Sequence, residues 1–339
     1  MNLRVLHVTN ALPYEGNPLY GIFIKEQIDS LRVLGVECDI DFVNGMGRGK
    51  MAYLMGFLRF ASWRVFQARR PHYDVVHCHH LLVGFIYLLC SSPRNVVVSF
   101  LSDGSKEFIG GNKWVANVIY RFVLKNASGR IFKKGIPQSL SGNGINFYLP
   151  NGVDIGKFRE IDRVEARRRL GLDPSAVYLL FVSNHELRRP EKRYDRFREV
   201  LRLVREELPN ERVDELLMVD VDRSEVAYYF NAANVHVLTS DFEGSPNSVK
   251  EALACNVPVV SVPVGNVAIV IAGLVTSAVS ASFDVGELRD LVVRAVRADA
   301  GRENSRKNIV EQGLDAGSVA AKLKEIYVAV DRAGHKRNR

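Results

Sequence analysis

Short apolar runs of period two alternate with longer stretches of period 3.6 along the chain, the pattern of a parallel sheet with helices on both faces. Residues 3–8 read as a first strand, 21–34 as a helix and 37–43 as a second strand. Residues 53–69 read as a helix, 74–77 and 95–100 as strands, 113–126 as a helix, and 129–133 and 146–149 as short strands. The apolar run 81–90 suits a buried helix better than a bilayer span. Pro150-Asn151-Gly152-Val153-Asp154 is turn chemistry that closes this first doubly wound unit. A second round follows, with strands at 177–182, 216–220, 235–238 and 257–262 and helices near 195–207 and 223–231. The expected division is therefore 1–152, 153–315, and a terminal helix with a basic tail over 316–339 that packs back toward the first domain. Ligands of open parallel sheets bind at the carboxyl ends of strands, which puts a ligand between two such units.

The most informative stretch is Asp-Phe-Glu-Gly-Ser-Pro-Asn-Ser-Val-Lys-Glu, residues 241–251, directly behind the strand 235–238. Glu243 and Glu251 stand eight apart around a Gly-Ser-Pro turn that opens a helix. Spacing alone proves nothing, because it recurs at Glu191/Glu199, Glu199/Glu207, Glu207/Glu215 and Glu303/Glu311, where no strand and turn precede it. Here the turn presents the amides of a helix start, which favour phosphate. Eight residues of helix would rise ~12 Å, room for carboxylates at the two ends of a nucleotide sugar with the diphosphate between.

Composition narrows the setting. The 339 residues are 47% hydrophobic, enough for two cores and too apolar for a disordered chain. The net charge of +8 is uneven: residues 1–150 hold 17 Lys+Arg against 9 Asp+Glu, and the remainder balances. The basic half therefore suits an anionic surface or a phosphate-bearing acceptor. Cys38, Cys78, Cys90 and Cys255 show no Cys-x-x-Cys spacing and read as buried thiols of a reducing compartment. The first residues lack a secretory apolar region, so the expected location is the cytoplasm, with the inner membrane face as a candidate surface.

With these residues in view, the chain resembles the retaining glycosyltransferases of family 4, the group 1 glycosyltransferases. The resemblance covers nearly the whole chain. It is most specific over residues 230–265, and Pro150-Asn151-Gly152-Val153-Asp154 and Arg189-Pro190-Glu191-Lys192-Arg193-Tyr194-Asp195 agree with it. It implies a GT-B architecture, two Rossmann-like α/β domains facing across a cleft, and transfer of a hexose-type sugar from a nucleoside diphosphate sugar to a glycan, lipid-linked or polysaccharide acceptor.

By the same resemblance Glu243 would face the donor sugar and Glu251 the ribose, with the backbone of Gly244, Ser245, Pro246, Asn247, Ser248 and Val249 cradling sugar and phosphate. Arg189 and Lys192 would neutralise the diphosphate without a metal or other cofactor, and Gly21 would let the amino-terminal loop approach the donor phosphate. The chain departs from the family at residues 99–104, where Leu101 occupies a position that is His in many relatives. Asp103 is then the nearest polar candidate to orient or deprotonate an acceptor hydroxyl.

His77, His79 and His80 invite a metal hypothesis. No carboxylate or cysteine ligand follows at a suitable spacing, so they read instead as acceptor-side lining or as a helix cap. Residues 48–70 mix six basic side chains with aromatic and aliphatic ones, a composition that fits either a sheet-packed helix or one lying on an anionic membrane. Other readings are a nucleotide-sugar epimerase of GT-B fold and a non-catalytic GT-B carbohydrate-binding subunit. No aromatic platform or helix-turn-helix supports nucleic-acid binding.

Overall fold

The computed structural model describes residues 3–65, 72–90, 95–101, 113–138, 140, 142–183, 189–298 and 303–336. The elements in chain order are β1 Arg4–Thr9, α1 Ile22–Val33, β2 Glu37–Phe42, α2 Gly45–Val65, β3 Val75–Cys78, α3 Leu81–Cys90, β4 Val96–Phe100, α4 Lys113–Asn126, β5 Gly129–Phe132 and β6 Ile145–Tyr148. They continue with α5 Arg163–Arg169, β7 Val177–Ser183, a 3-10 turn Pro190–Lys192, α6 Tyr194–Glu207, β8 Val213–Val219, α7 Val226–Ala232 and β9 Val235–Leu238. The last are α8 Asn247–Ala254, β10 Val259–Ser261, α9 Val267–Val270, β11 Ala278–Val279, α10 Val285–Ala298, α11 Ser305–Glu311 and α12 Ala316–Lys336. Two compact units result, one of residues 1–151 with 317–339, the other of 152–316.

The first unit is a parallel sheet of order β2-β1-β3-β4-β5-β6. Because side chains alternate across a sheet, Leu6, Val8, Val76, Cys78, Val96 and Val98 face a core shared with α2, α3 and α4. Val5, Val75, Val97 and Ile131 face the opposite core, closed by Leu323, Tyr327 and Val330 of α12. The same parity directs His7, His77 and Ser99 to the α12 side, and His77 Nδ1 lies 2.6 Å from the Tyr327 hydroxyl.

The second unit has the order β11-β10-β9-β7-β8, also parallel, around one core that includes Leu179, Phe197, Phe230, Val237, Leu253 and Val292. From β7 the chain moves one way to β8 and then crosses back to β9. The carboxyl ends of β7 and β9 therefore border the point where winding direction switches, where a crevice opens in such sheets.

Three local features differ from the expectation. Helix α2 starts at Gly45, with Gly49 at φ 60 and ψ −151 interrupting its first turns. The Gly-rich start masks that turn in sequence, and the expected end at 66–69 lies outside the described residues. Helix α5, unmarked in the sequence reading, starts where Asp162 accepts from Glu165 N at 2.9 Å as an N-cap. Its Arg167 is buried, donating to Ala232 O, Pro174 O and Asn234 Oδ1. Helix α10 is an amphipathic segment with Leu288, Val292 and Val293 inward, not anticipated from the pattern.

Candidate active site

At the carboxyl edge of the second sheet, β9 ends at Leu238 and Thr239 and Ser240 continue it as buried residues. Thr239 Oγ1 is 2.9 Å from Lys192 O and 3.1 Å from Arg193 O, and Asp241 N donates to Glu191 O at 2.9 Å. These bonds tie the segment after β7 to the segment after β9. Arg193 and Arg196 converge on Asp241 at 3.0 and 3.1 Å and brace the same junction.

The loop is fixed from behind as well. Asn266 N donates to Gly244 O at 3.1 Å, and a Cβ on Gly265, whose φ is 57, would fall 2.6 Å from that oxygen. The buried Lys250 reaches back within 2.8 Å of Ser245 Oγ. His236 Nε2 lies 3.1 Å from Ser248 Oγ, joining β9 to the first turn of α8, and burial pushes its imidazole down to about 4. Pro246, the cap residue of α8, offers no side-chain acceptor. It has no N–H either, so the expected backbone cradle is corrected at this position: Pro246 fixes the start of the helix, and amides flanking it do any donating.

The two glutamates meet cations. Glu243 Oε1 accepts from Lys192 Nζ at 2.6 Å and from Ser240 Oγ at 2.9 Å, and both members of the ion pair are only 17% exposed. Glu251 lies 3.0 Å from Arg223 Nη1, on the loop after β8. Arg189 pairs with Glu191 at 2.6 Å. Glu243, Glu251, Lys192, Arg189 and the 244–249 turn thus come together on one edge of one unit. The sequence pattern put Arg223 at the start of a helix near 223–231 and gave it no role in the site. Its position just past a neighbouring strand end was the available signal.

Two expected residues do not belong to the described part of the second unit. Gly21 belongs to the first unit, where it caps α1 at φ 66, and a Cβ there would sit 2.3 Å from both C and O of Ala11. Glycine is required by its own chain. Asp103 lies outside the described residues, and Leu101, just past β4, is half-buried.

The histidine expectation is corrected in part. His77 and His79 are interior residues and line no surface, while His80 Nδ1 accepts from Leu82 N at 3.2 Å and so caps α3. His7, unremarked in sequence, joins them, and the three offer ring nitrogens within 4.8 Å of one another. His7 Nδ1 is 2.8 Å from His79 Nε2, and His77 Nε2 is 2.8 Å from Ser99 Oγ. The ring centroids of His77 and His79 lie 3.9 Å apart, the planes tilted by 31°. Burial pushes all three imidazoles below their usual range.

Residues 206–298, from the end of α6 through α10, match the family described as Glycosyl transferases group 1. This segment belongs to the group 1 glycosyl transferases. The group 1 segment holds Arg223, Glu243, the turn and Glu251, while Arg189 and Lys192 precede it. A D-inositol 3-phosphate glycosyltransferase from Actinosynnema mirum is 29% identical over 194 residues, 48% of this chain and 46% of that protein, so the match spans about half the length of the relative.

Among solved structures, a sucrose-phosphate synthase from Thermosynechococcus elongatus superposes with a TM-score of 0.77 at 16% identity, covering 98% of this chain and 100% of the other. HepE of Anabaena, solved in complex with UDP, gives 0.67 at 14% identity over 96% and 100%. The fold is therefore GT-B, two Rossmann-like α/β units. Among the described residues, no helix is long and apolar enough to cross a membrane.

Proposed function

We propose that the chain is a retaining, family 4-like hexosyltransferase that takes a sugar from a nucleoside diphosphate donor and passes it to a glycan, lipid-linked or polysaccharide acceptor. The observation that carries this reading is the meeting of Lys192 with Glu243, and of Arg223 with Glu251, beside the start of α8 at the switch point of the second sheet. A helix start with adjacent cations suits a diphosphate, and two carboxylates suit the hydroxyls of sugar and ribose. That group 1 sequence spans this edge supports the reading, as does the UDP-glucose complex of HepE.

In this reading the donor diphosphate draws Lys192 away from Glu243, whose carboxylate then accepts from sugar hydroxyls. Breaking the glycosidic bond gathers charge on the departing diphosphate, and Lys192, Arg189 and amides of the first turn of α8 stabilise it without relying on a metal. The acceptor hydroxyl attacks from the face the diphosphate leaves, and a phosphate oxygen takes its proton. Gly21 and Asp103 keep their proposed places near the donor phosphate and at the acceptor.

Incubation with UDP-, GDP- and ADP-hexoses, with and without carbohydrate acceptors, tests the reading, with the product anomer assigned by NMR. Acceptor-dependent release of nucleoside diphosphate with the anomeric configuration kept is expected. Conversion of a donor to its epimer without acceptor would replace the transferase reading with an epimerase, and an inverted product would remove the retaining mechanism.

A further inference from the structure

The layer of α2, α3 and α4 on the first unit has a composition unlike an ordinary solvated helix layer. Helix α2 packs on α3 and α3 on α4. Ala52, Gly56 and Phe60 turn α2 inward, and Phe60 joins the core beneath. Met51, Leu54, Met55 and Leu58, at i, i+3, i+4 and i+7, form a second apolar stripe on the outside of the same helix. On α4 the outward positions include Trp114, 73% exposed, and Val118. Between these helices α3 carries no charge and exposes Leu89.

Charge points the same way. Across the three helices the basic residues are Arg48, Lys50, Arg59 and Arg64 of α2 and Lys113, Arg121 and Lys125 of α4, and there is not one Asp or Glu. Arg59 is neutralised by Asp41 of β2. Solvated helices elsewhere mix their charges: α1 pairs Lys25 and Arg32 with Asp29, and α6 pairs Arg202 with Glu199 and Glu206. Contiguous apolar exposure marks an interaction surface. Cations on helices that carry no carboxylate of their own select an anionic one, and an apolar stripe beside them suits acyl chains below a layer of phosphates.

We propose that the outer surface of α2, α3 and α4 docks on an anionic lipid bilayer, with Met51, Leu54, Met55, Leu58 and Trp114 entering the interface and the exposed Lys113, Arg121 and Lys125 of α4 meeting lipid phosphates. Lipid headgroups supply the negative charge that these helices lack, and the apolar stripe needs an apolar phase that a free phosphate or a polyanion does not offer. The inference is independent of the donor chemistry at the second sheet and stands or falls by its own test.

Trp63 and Trp114 are the two tryptophans of the chain, and Trp114 is exposed on α4, so its emission reports on the surface directly. The full chain is mixed with phosphatidylcholine vesicles with and without phosphatidylglycerol, at low and high salt, and followed by co-sedimentation and fluorescence. A Trp63→Phe variant leaves Trp114 as the sole emitter.

With anionic vesicles alone, the chain pellets and Trp114 emission shifts to the blue and is quenched by brominated lipid, and salt reverses both. Met55→Ser with Leu58→Ser weakens binding by about tenfold or more, and Arg121→Gln or Lys125→Gln by about fivefold each. No pelleting at low salt overturns the proposal. So does pelleting that leaves Trp114 unquenched, or sedimentation velocity showing a stable dimer that Met55→Ser with Leu58→Ser dissolves.

Discussion

Lys192 Nζ stands 2.6 Å from Glu243 Oε1, so the cation proposed for the diphosphate and the carboxylate proposed for the sugar hold each other. The pairing lowers the cost of keeping either charge at a partly buried edge. In the proposed reading a donor exchanges one set of charge-assisted bonds for another, so affinity comes from the difference between the two sets and not from the diphosphate contact alone.

The Arg223–Glu251 pair predicts a stability effect separable from binding. Both side chains are largely buried, and Arg223 also lies over the Phe158 ring at 4.8 Å. Arg223→Ala takes away the cation beside a carboxylate that stays buried, an expected loss of ~1–3 kcal/mol in urea unfolding. Adding Glu251→Gln restores part of that loss without restoring donor binding. A double variant as unstable as the sum of the singles would show that the pair is not coupled.

Gly21 and Gly35 form a matched comparison. Both have positive φ, 66 and 75, but a Cβ on Gly21 collides with Ala11 whereas one on Gly35 meets nothing within 4 Å. Gly35→Ala should cost ~1 kcal/mol for the left-handed backbone alone, and Gly21→Ala ~1–3 kcal/mol more. Urea unfolding of both variants measures the difference, and equal losses would contradict the close approach at Ala11.

Much of the fold is legible in the sequence because buried parallel strands are short β-branched runs whose boundaries are set by turns, as at Val235–Leu238. The donor-side turn is legible for the same reason: Gly244 and Pro246 must break the chain between a strand and a helix. What escapes is tertiary. Nothing near Arg223 in sequence announces Glu251, and the link of His7 to His79 spans 72 residues through strand register. Helix α5 is hidden because its buried arginine mimics a solvated charge, and the start of α2 because its glycines mimic a loop.

Acid should weaken the second unit through His236. Burial holds its folded value near 4, against 6.5 for a free imidazole, with Lys192 lowering it and the Leu180 carbonyl and Glu243 opposing. As pH falls through 6.5 the unfolded chain takes up a proton that the folded chain refuses, so this contribution is full above 6.5 and lost toward 4. The slope is ~1.4 kcal/mol per pH unit at most. Urea unfolding of the wild type and His236→Gln across that window checks it, and the variant should show the shallower dependence. Parallel curves would rule out His236 as the titrating group.

Calorimetric titration of the wild type, Lys192→Ala and Glu251→Ala with UDP-, GDP- and ADP-sugars addresses the donor site most directly. The account predicts saturable one-site binding of at least one nucleotide sugar by the wild type. Lys192→Ala should weaken it by about tenfold to a hundredfold, the worth of a charge-assisted contact, and Glu251→Ala by a similar factor. A wild-type chain that binds none of them, or variants that bind as tightly as the wild type, would contradict it.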